Sequence, residues 1–148
     1  MIDTADTSAK QPQPWTQRRF VWFRGQFDSH ADTGEEYQTQ ALEKVFTVKP
    51  GSKPKGGGLA CIPSTYHEYD AREHAVQRQH GSYIALTADI DKGDHSLPAI
   101  REAVTGFCGS SAWLVYSSPH ARPGDMRWRV ILPLAEEQPF EAWYDAQL

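Results

Sequence analysis

Two aspartates separated by one residue are the feature of this sequence that most directly indicates chemistry. Asp89 and Asp91 end a short apolar run that begins at Tyr83. Side chains of a β-strand alternate between its faces, so both carboxylates should point to one side. Neighbouring carboxylates repel each other, and a hard cation such as Mg²⁺ or Mn²⁺ relieves the repulsion by binding both. The spacing therefore predicts a metal site, with a simple polar turn at the strand end as the alternative. The side chains that we expect to point the other way, into the core, are Ile84, Leu86, Ala88 and Ile90.

Two further pairs of residues could act beside such a metal. Ser118 and His120 are separated by one residue, and so are Arg127 and Arg129. In extended backbone the members of each pair share a face. His and Arg donate hydrogen bonds to phosphate oxygens, and a cation neutralises the charge of a departing group. The three pairs together predict a site for a metal-bound polyphosphate.

Other known types of site fit these residues less well. A Ser-His-Asp hydrolase would need a Gly-x-Ser-x-Gly turn, whereas Ser118 precedes a proline. An EF-hand loop that began at Asp89 would need oxygen ligands at the positions of Gly93 and Ile100. Neither type of site is therefore expected.

Two other segments carry polar residues that could bind a ligand. His67, Asp70 and His74 would share a face of a helix over 66–80, but they lack the i, i+4 histidine pair of a metalloprotease helix, so an exposed polar face is favoured over zinc. Segment 49–58 is Gly-rich and lacks the lysine of a phosphate-binding Walker loop. A solvated linker is favoured there, with phosphate contacts as the alternative role of Lys49, Lys53 and Lys55.

The elements that would position these residues follow from the pattern of apolar residues. The strand that ends at Asp91 precedes a helix over 96–107 and two strands over 111–118 and 126–134, which should form a hairpin. A right-handed crossover through the helix would make the first two strands parallel. We therefore expect an α+β fold with a mixed sheet. Further predicted segments are a mobile tail over 1–14, a strand over 19–27, a helix or strand over 35–45 and the helical segment over 66–80.

The predicted helix after Asp91 is amphipathic. Ser96 or His95 should be its N-cap, and Pro98 suits its first turn. Its apolar stripe, which should pack on the sheet, consists of Ile100, Val104 and Phe107.

The composition limits the class of protein. The 148 residues are enough for one domain and few for a complete polymerase, and 39% of them are hydrophobic. We find no apolar run that could cross a bilayer, no secretory signal, and no metal-binding spacing at Cys61 and Cys108, which predicts a cytoplasmic protein. The net charge of −4 argues against indiscriminate coating of nucleic acid, because that requires a positive field.

The ordered motifs resemble those of the archaeo-eukaryotic primase superfamily, in particular the primase-polymerase domains of phage and plasmid replication proteins. That family has an Asp-hydrophobic-Asp motif, then Ser-x-His on the next strand, and its phage members have an Arg-x-Arg segment before Pro-Leu. The corresponding segments here are 89–91, 118–120 and 127–134. The resemblance extends from about His67 to Leu134.

The resemblance implies a fold and an activity. The fold would contain a strand-helix-strand-strand core like that of the RNA-recognition motif, with helices on one face. The activity would be that of a DNA primase or polymerase in DNA replication, a nucleotidyltransferase that uses Mg²⁺ or Mn²⁺. Its partners would be nucleoside triphosphates, a single-stranded DNA template and a helicase domain of the same parent protein. The implied catalytic residues are Asp89, Asp91 and His120, with both aspartates as metal ligands. The expected nucleotide contacts are Ser118, His120 and Arg129. Arg127 is added to them because it should share a strand face with Arg129.

One departure from the family pattern concerns the third metal-binding carboxylate, which the family carries on a later strand. Segment 140–148 instead reads as a helix. We therefore expect a catalytic domain over 15–148 that is incomplete at its C-terminal end and could be inactive alone. The alternatives are a nucleotide- or single-strand-binding module without catalysis and a phosphatase with an Asp nucleophile. The nearby acidic residues are Glu136, Glu137, Glu141 and Asp145.

Overall fold

The computed structural model describes residues 17–23, 39–41, 60–109, 112–118 and 120–147. Within these ranges the fold is α+β, with two three-stranded sheets in which all pairings are antiparallel. None of the helices in these ranges is long and apolar enough to span a membrane. The elements are β1 (Arg19–Phe23), β2 (Thr39–Ala41), β3 (Ala60–Ile62), α1 (His74–His80), β4 (Ser82–Ile90), α2 (Leu97–Cys108), β5 (Leu114–Ser117), β6 (Trp128–Pro139) and α3 (Phe140–Gln147).

The sheet that carries the aspartates has the strand order β4-β6-β5. The predicted hairpin of β5 and β6 is confirmed. The prediction of a mixed sheet is wrong, because β6 lies between β4 and β5 and pairs antiparallel with both. As a result, β4 and β5 run parallel to each other without being neighbours.

Helix α2 packs on one face of this sheet. Ile100 and Val104 are buried against Trp128 and Val130 of β6. The Ser96 side chain accepts a hydrogen bond from the Ala99 backbone N–H, which confirms Ser96 as the N-cap.

The predicted apolar stripe of α2 is wrong at its last position. Phe107 is 78% exposed, and Cys108 instead joins Ile100 and Val104 in the cluster against the sheet. Gly106 also faces open space, since a Cβ there would meet no atom within 4 Å.

The sheet of β1, β2 and β3 covers much of the opposite face. Phe20 of β1 belongs to a buried cluster with Ile84 and Ala85 of β4, Leu114 of β5 and Ile131 of β6. Trp22 and Tyr116 pack against this cluster. The face that the sequence predicts to be open for chemistry is therefore covered along most of its length.

The free edge of β4 is also covered. Near its start, Ser64 bridges to Tyr83, and Ile84 donates to the carbonyl of Pro63. Farther along, Trp143 of α3 donates to the carbonyl of Ala85. These contacts blunt an edge that could otherwise pair with another chain.

Other predicted segments are confirmed in part. The helical segment over 66–80 is regular only from His74, and Gln77 anchors it by donating to the backbone carbonyls of Tyr66 and Ala71. The strand predicted over 19–27 is confirmed for residues 19–23. In 35–45 the described part, residues 39–41, is a strand. The predicted tail over 1–14 and the Gly-rich segment 49–58 lie outside the described residues.

Candidate functional site

The aspartates, the arginines and Ser118 lie at one end of the sheet that β4, β6 and β5 form. Asp89 is paired in register with Arg129, which is paired in turn with Tyr116 of β5. Since opposite residues of paired strands point to the same face, these three side chains form a row across the sheet. The Nε of Arg129 lies 3.1 Å from Oδ1 of Asp89.

A second row continues beyond the ends of the strands. The backbone N–H of Ser118 donates to the carbonyl of Arg127 at 2.9 Å, which extends the β5–β6 pairing by one step. Asp91 follows β4 and is exposed, and its charge acts on Arg127. The structure thus brings together the predicted site residues Asp89, Asp91, Ser118, Arg127 and Arg129.

The loop after Asp91 is tied to the start of β6. Asp94 accepts a hydrogen bond from the backbone N–H of Met126 at 2.8 Å. The indole N–H of Trp128 donates to the carbonyl of His95, also at 2.8 Å. Gly93 has φ 98°, and a Cβ there would lie 2.3 Å from Nε2 of His95, so the turn requires glycine. These contacts hold the loop from Asp91 beside the β5–β6 hairpin.

The hairpin loop forms an open depression of about 310 Å³. Its lining combines three basic side chains with one carboxylate: His120, Arg122, Arg127 and Asp125. Arg127 donates to both carboxylate oxygens of Asp125, at 3.3 and 3.0 Å. Arg122 lies 3.8 Å from the same carboxylate. His120 is exposed, and its backbone N–H donates to the Ser118 side chain at 3.4 Å. A multiply charged anion could contact this depression through its basic groups.

The ion pairs hold both arginines of the two rows in the charged form. A hydrogen bond to Asp125 raises the pKa of Arg127, and the charges of Asp125 and Asp91 add to this effect. Partial burial lowers the pKa of Arg129, but Asp89 and Tyr116 raise it by more, so its pKa lies above the usual value. Both guanidinium groups therefore remain cationic over the whole range in which nucleotides are stable.

Sequence reasoning did not identify four residues of this region. Tyr116 shares the row of Asp89 and Arg129, while Arg122 and Asp125 line the depression. Cys61 of the other sheet is close enough to Asp89 and Arg129 for their charges to act on its thiol. Tyr116 could have been found from its position two residues before Ser118, but the approach of Cys61 depends on the packing of two sheets.

Cys61 does not have the properties of a nucleophile. The residue is exposed, yet the pKa of its thiol is raised to about 11, first by desolvation among its neighbours. Arg129 lowers this pKa and Asp89 raises it. The thiol is protonated at neutral pH with or without the shift, and a thiol in that form reacts slowly.

The structure does not gather the residues of the zinc hypothesis. Asp70 accepts a hydrogen bond from the Tyr66 hydroxyl, and the His67 ring lies 3.0 Å from the carbonyl of Thr65. In the part of the chain that the structure describes, no three His, Cys, Asp or Glu side chains converge as they would around a metal. Among the acidic residues after β5, Glu137 accepts from the Ser82 side chain, at the opposite end of β4 from Asp89.

No protein-family model matches the chain, and no curated protein or solved structure is significantly similar to it.

Proposed function

We propose that this chain is a nucleotidyltransferase domain of the primase-polymerase type, which binds a nucleoside triphosphate with Mg²⁺ or Mn²⁺ at the open end of its second sheet. The observation that carries the proposal is the pair of adjacent rows, with Asp89 and Asp91 beside Arg127, Arg129 and Ser118. Cation ligands and phosphate donors thus lie next to each other at the ends of paired strands.

The strand order supports the same proposal. In β4, α2, β5 and β6, two parallel strands are joined through a helix and separated by a third strand. This is a split β-α-β arrangement of the kind found in ferredoxin-like folds. It is compatible with a core like the RNA-recognition motif, although β1 and α3 cover parts of the sheet that such a core would leave free.

The oxygen donors at this end suit a hard divalent cation. Mg²⁺ is commonly bound through one or two carboxylates together with phosphate oxygens and water. Asp89 and Asp91 supply two carboxylates, and the side chain of Asp89 is 59% exposed. When bound, the ion would lower the pKa of the attacking hydroxyl and neutralise charge on the triphosphate. Because no third His, Cys, Asp or Glu side chain among the described residues converges with Asp89 and Asp91, we expect the affinity for metal to depend on the nucleotide.

The remaining residues have distinct roles in this proposal. Arg127 and Arg129 donate to phosphate oxygens, and His120 reaches the phosphates from the hairpin loop. Ser118, fixed by its backbone bond to Arg127, offers a hydroxyl at the edge of the site. All of these groups recognise phosphate and none reads a base, so the site should bind the four nucleotides about equally. A single-stranded template would supply the choice of base.

Calorimetric titration of a nucleoside triphosphate in the presence of Mn²⁺ tests this function. D89N and D91N should each weaken Mn²⁺-dependent binding at least about tenfold, since even indirect ligands typically contribute that much. E102Q is the matched control, because Glu102 is exposed on α2 at the other face of the sheet. Nucleotide binding that is equal in all four proteins would contradict the proposal.

A binding module without catalysis is the second candidate, and it is favoured because no third potential metal ligand among the described residues converges with Asp89 and Asp91. Incorporation of labelled nucleotide on a single-stranded template separates the two functions. Incorporation that D89N abolishes would support transfer. Metal-dependent binding without incorporation would support the binding module.

A further inference from the structure

The ion pair between Asp89 and Arg129 joins the two halves of the proposed site. The two residues are cross-strand partners on β4 and β6, and their charged atoms are 3.1 Å apart. Their side chains are 59% and 45% exposed, so both groups remain accessible to ligands. In the ligand-free chain, Arg129 therefore lies where a cation would contact Asp89, and Asp89 lies where a phosphate would contact Arg129.

The two members of the ion pair bind ligands of opposite charge: Asp89 binds a cation, and Arg129 binds a phosphate. A divalent cation that binds Asp89 competes with the guanidinium of Arg129 for the carboxylate. A phosphate that binds Arg129 competes with the carboxylate of Asp89 for the guanidinium and brings a like charge close to that carboxylate. The cation alone, or the phosphate alone, breaks the ion pair and leaves the charge of one member without a partner. When both ligands bind, the ion pair is broken only once, and each member has a new partner of opposite charge.

We propose, on the basis of the proposed function, that the Asp89–Arg129 ion pair couples metal binding to triphosphate binding and makes each ligand alone a poor one. The coupling is reciprocal, as linkage requires. Its structural consequence is that Arg129 changes partner from a carboxylate to a phosphate when the metal binds Asp89.

Tyr116 keeps Arg129 at the same place on the sheet when Arg129 changes partner. It is the cross-strand partner of Arg129, and the two side chains interact, so the guanidinium keeps one neighbour after Asp89 is lost. Arg129 can therefore reach phosphate from the same place on the sheet without rearrangement of β6. Tyr116 is a positioning residue in this exchange.

The first experiment measures Mn²⁺ binding without nucleotide, by electron paramagnetic resonance of the free ion. R129M removes the competitor of the metal and should raise the affinity for Mn²⁺ about two- to fivefold, the range expected from an exposed ion pair. K92M is the matched control, since exposed Lys92 follows Asp91 and its loss makes the same change in net charge. An equal gain in K92M would show that general electrostatics explain the effect.

The second experiment measures the reverse coupling with inorganic tripolyphosphate in the presence of EDTA. D89N releases Arg129 and should raise the affinity for tripolyphosphate about two- to fivefold. The gain should vanish in the double variant D89N/R129M, because the released group is then absent. Circular dichroism confirms that each variant is folded.

The outcomes separate this inference from the function on which it rests. If the unaltered chain binds neither Mn²⁺ nor triphosphate in the presence of the other, both fail. If it binds the two together but R129M leaves Mn²⁺ affinity unchanged, or the double variant keeps the gain of D89N, the coupling is wrong and the function stands. The expected pattern is opposite changes: tighter Mn²⁺ and weaker Mn²⁺-triphosphate in R129M.

Discussion

Tyr66 is a residue whose protonation should control local stability at alkaline pH. Its hydroxyl donates to Oδ1 of Asp70 at 2.7 Å, and this bond raises the pKa of Tyr66 from 10.0 to about 12. Because the folded-state pKa is the higher one, the bond stabilises the fold fully below pH 10 and is lost as the pH rises towards 12. We expect the free energy of unfolding to fall in that window.

Urea unfolding of the parent and Y66F at increasing pH measures this effect. Y66F lacks the titrating hydroxyl and should be less stable near neutral pH, with a smaller loss of stability above pH 10. Y69F is the matched control, because Tyr69 is 52% exposed. Parallel pH profiles for the parent and Y66F would contradict the assignment.

At the scale of single residues, alternation along strands predicted which side chains share a face of the sheet. It placed Asp89 and Arg129 on one face and Trp128 on the other, as the structure has them, although the face of Asp89 also carries a buried cluster. It failed for Ala88, which is exposed although it lies on the sheet face against which α2 packs. Alternation gives the direction of a side chain, and the neighbouring elements decide whether that direction is buried.

Helix α2 offers a test at the scale of an element. Ile100 is 4% exposed and packs against β6, whereas Phe107 is 78% exposed on the same helix. I100A should lower the free energy of unfolding by about 2–4 kcal/mol through lost burial and a cavity. F107A should change it by less than about 0.5 kcal/mol.

Chemical denaturation of the two variants gives both values in one experiment. A cost of F107A equal to that of I100A would mean that the last turn of α2 is buried in solution. A negligible cost of I100A would mean that α2 is not docked on the sheet.

The limits of elements were predicted less well than their types. Strand β6 continues to Pro139, five residues beyond the predicted end at Leu134, although Pro133 lacks a backbone donor. The structure tolerates Pro133 because β5 pairs only with residues 128–131, and an irregularity in the β4 pairing begins at Pro133. Such tolerance depends on neighbouring strands, which the local sequence does not specify.

At the scale of the whole molecule, Arg18 connects the two sheets. Its guanidinium donates to the carbonyls of Leu134 and Ala135, which lie in the irregular part of β6. These carbonyls lack regular strand partners, so Arg18 satisfies acceptors that the irregularity leaves free. R18M should destabilise the protein by about 1–2 kcal/mol.

R18K distinguishes hydrogen bonding from charge in the same position. Lysine keeps the charge but cannot span both carbonyls with a planar group, so its stability should be intermediate. Thermal unfolding of the three proteins measures the order. If R18K were as stable as the parent, charge alone would explain the contact.

The packing of two sheets was beyond sequence reasoning. The aromatic run of β1 predicted a strand correctly, but both of its faces are used: Phe20 packs on the second sheet, and Val21 packs with Ala71 on the other side. A strand with two apolar faces shows no alternation that would assign it to a sheet. The sequence alone therefore did not predict that the first sheet covers the face of the second sheet that carries Asp89.

The central position of β6 has a consequence for how the chain folds as it is synthesised. Strands β4 and β5 pair with β6 and not with each other, although both precede it in the sequence. A nascent chain that has emerged only as far as Arg127 thus exposes two strands and the apolar side of α2 without their common partner. We expect this sheet to form late during translation and in one step, and a pause before Trp128 would prolong the interval in which the growing chain is prone to aggregate.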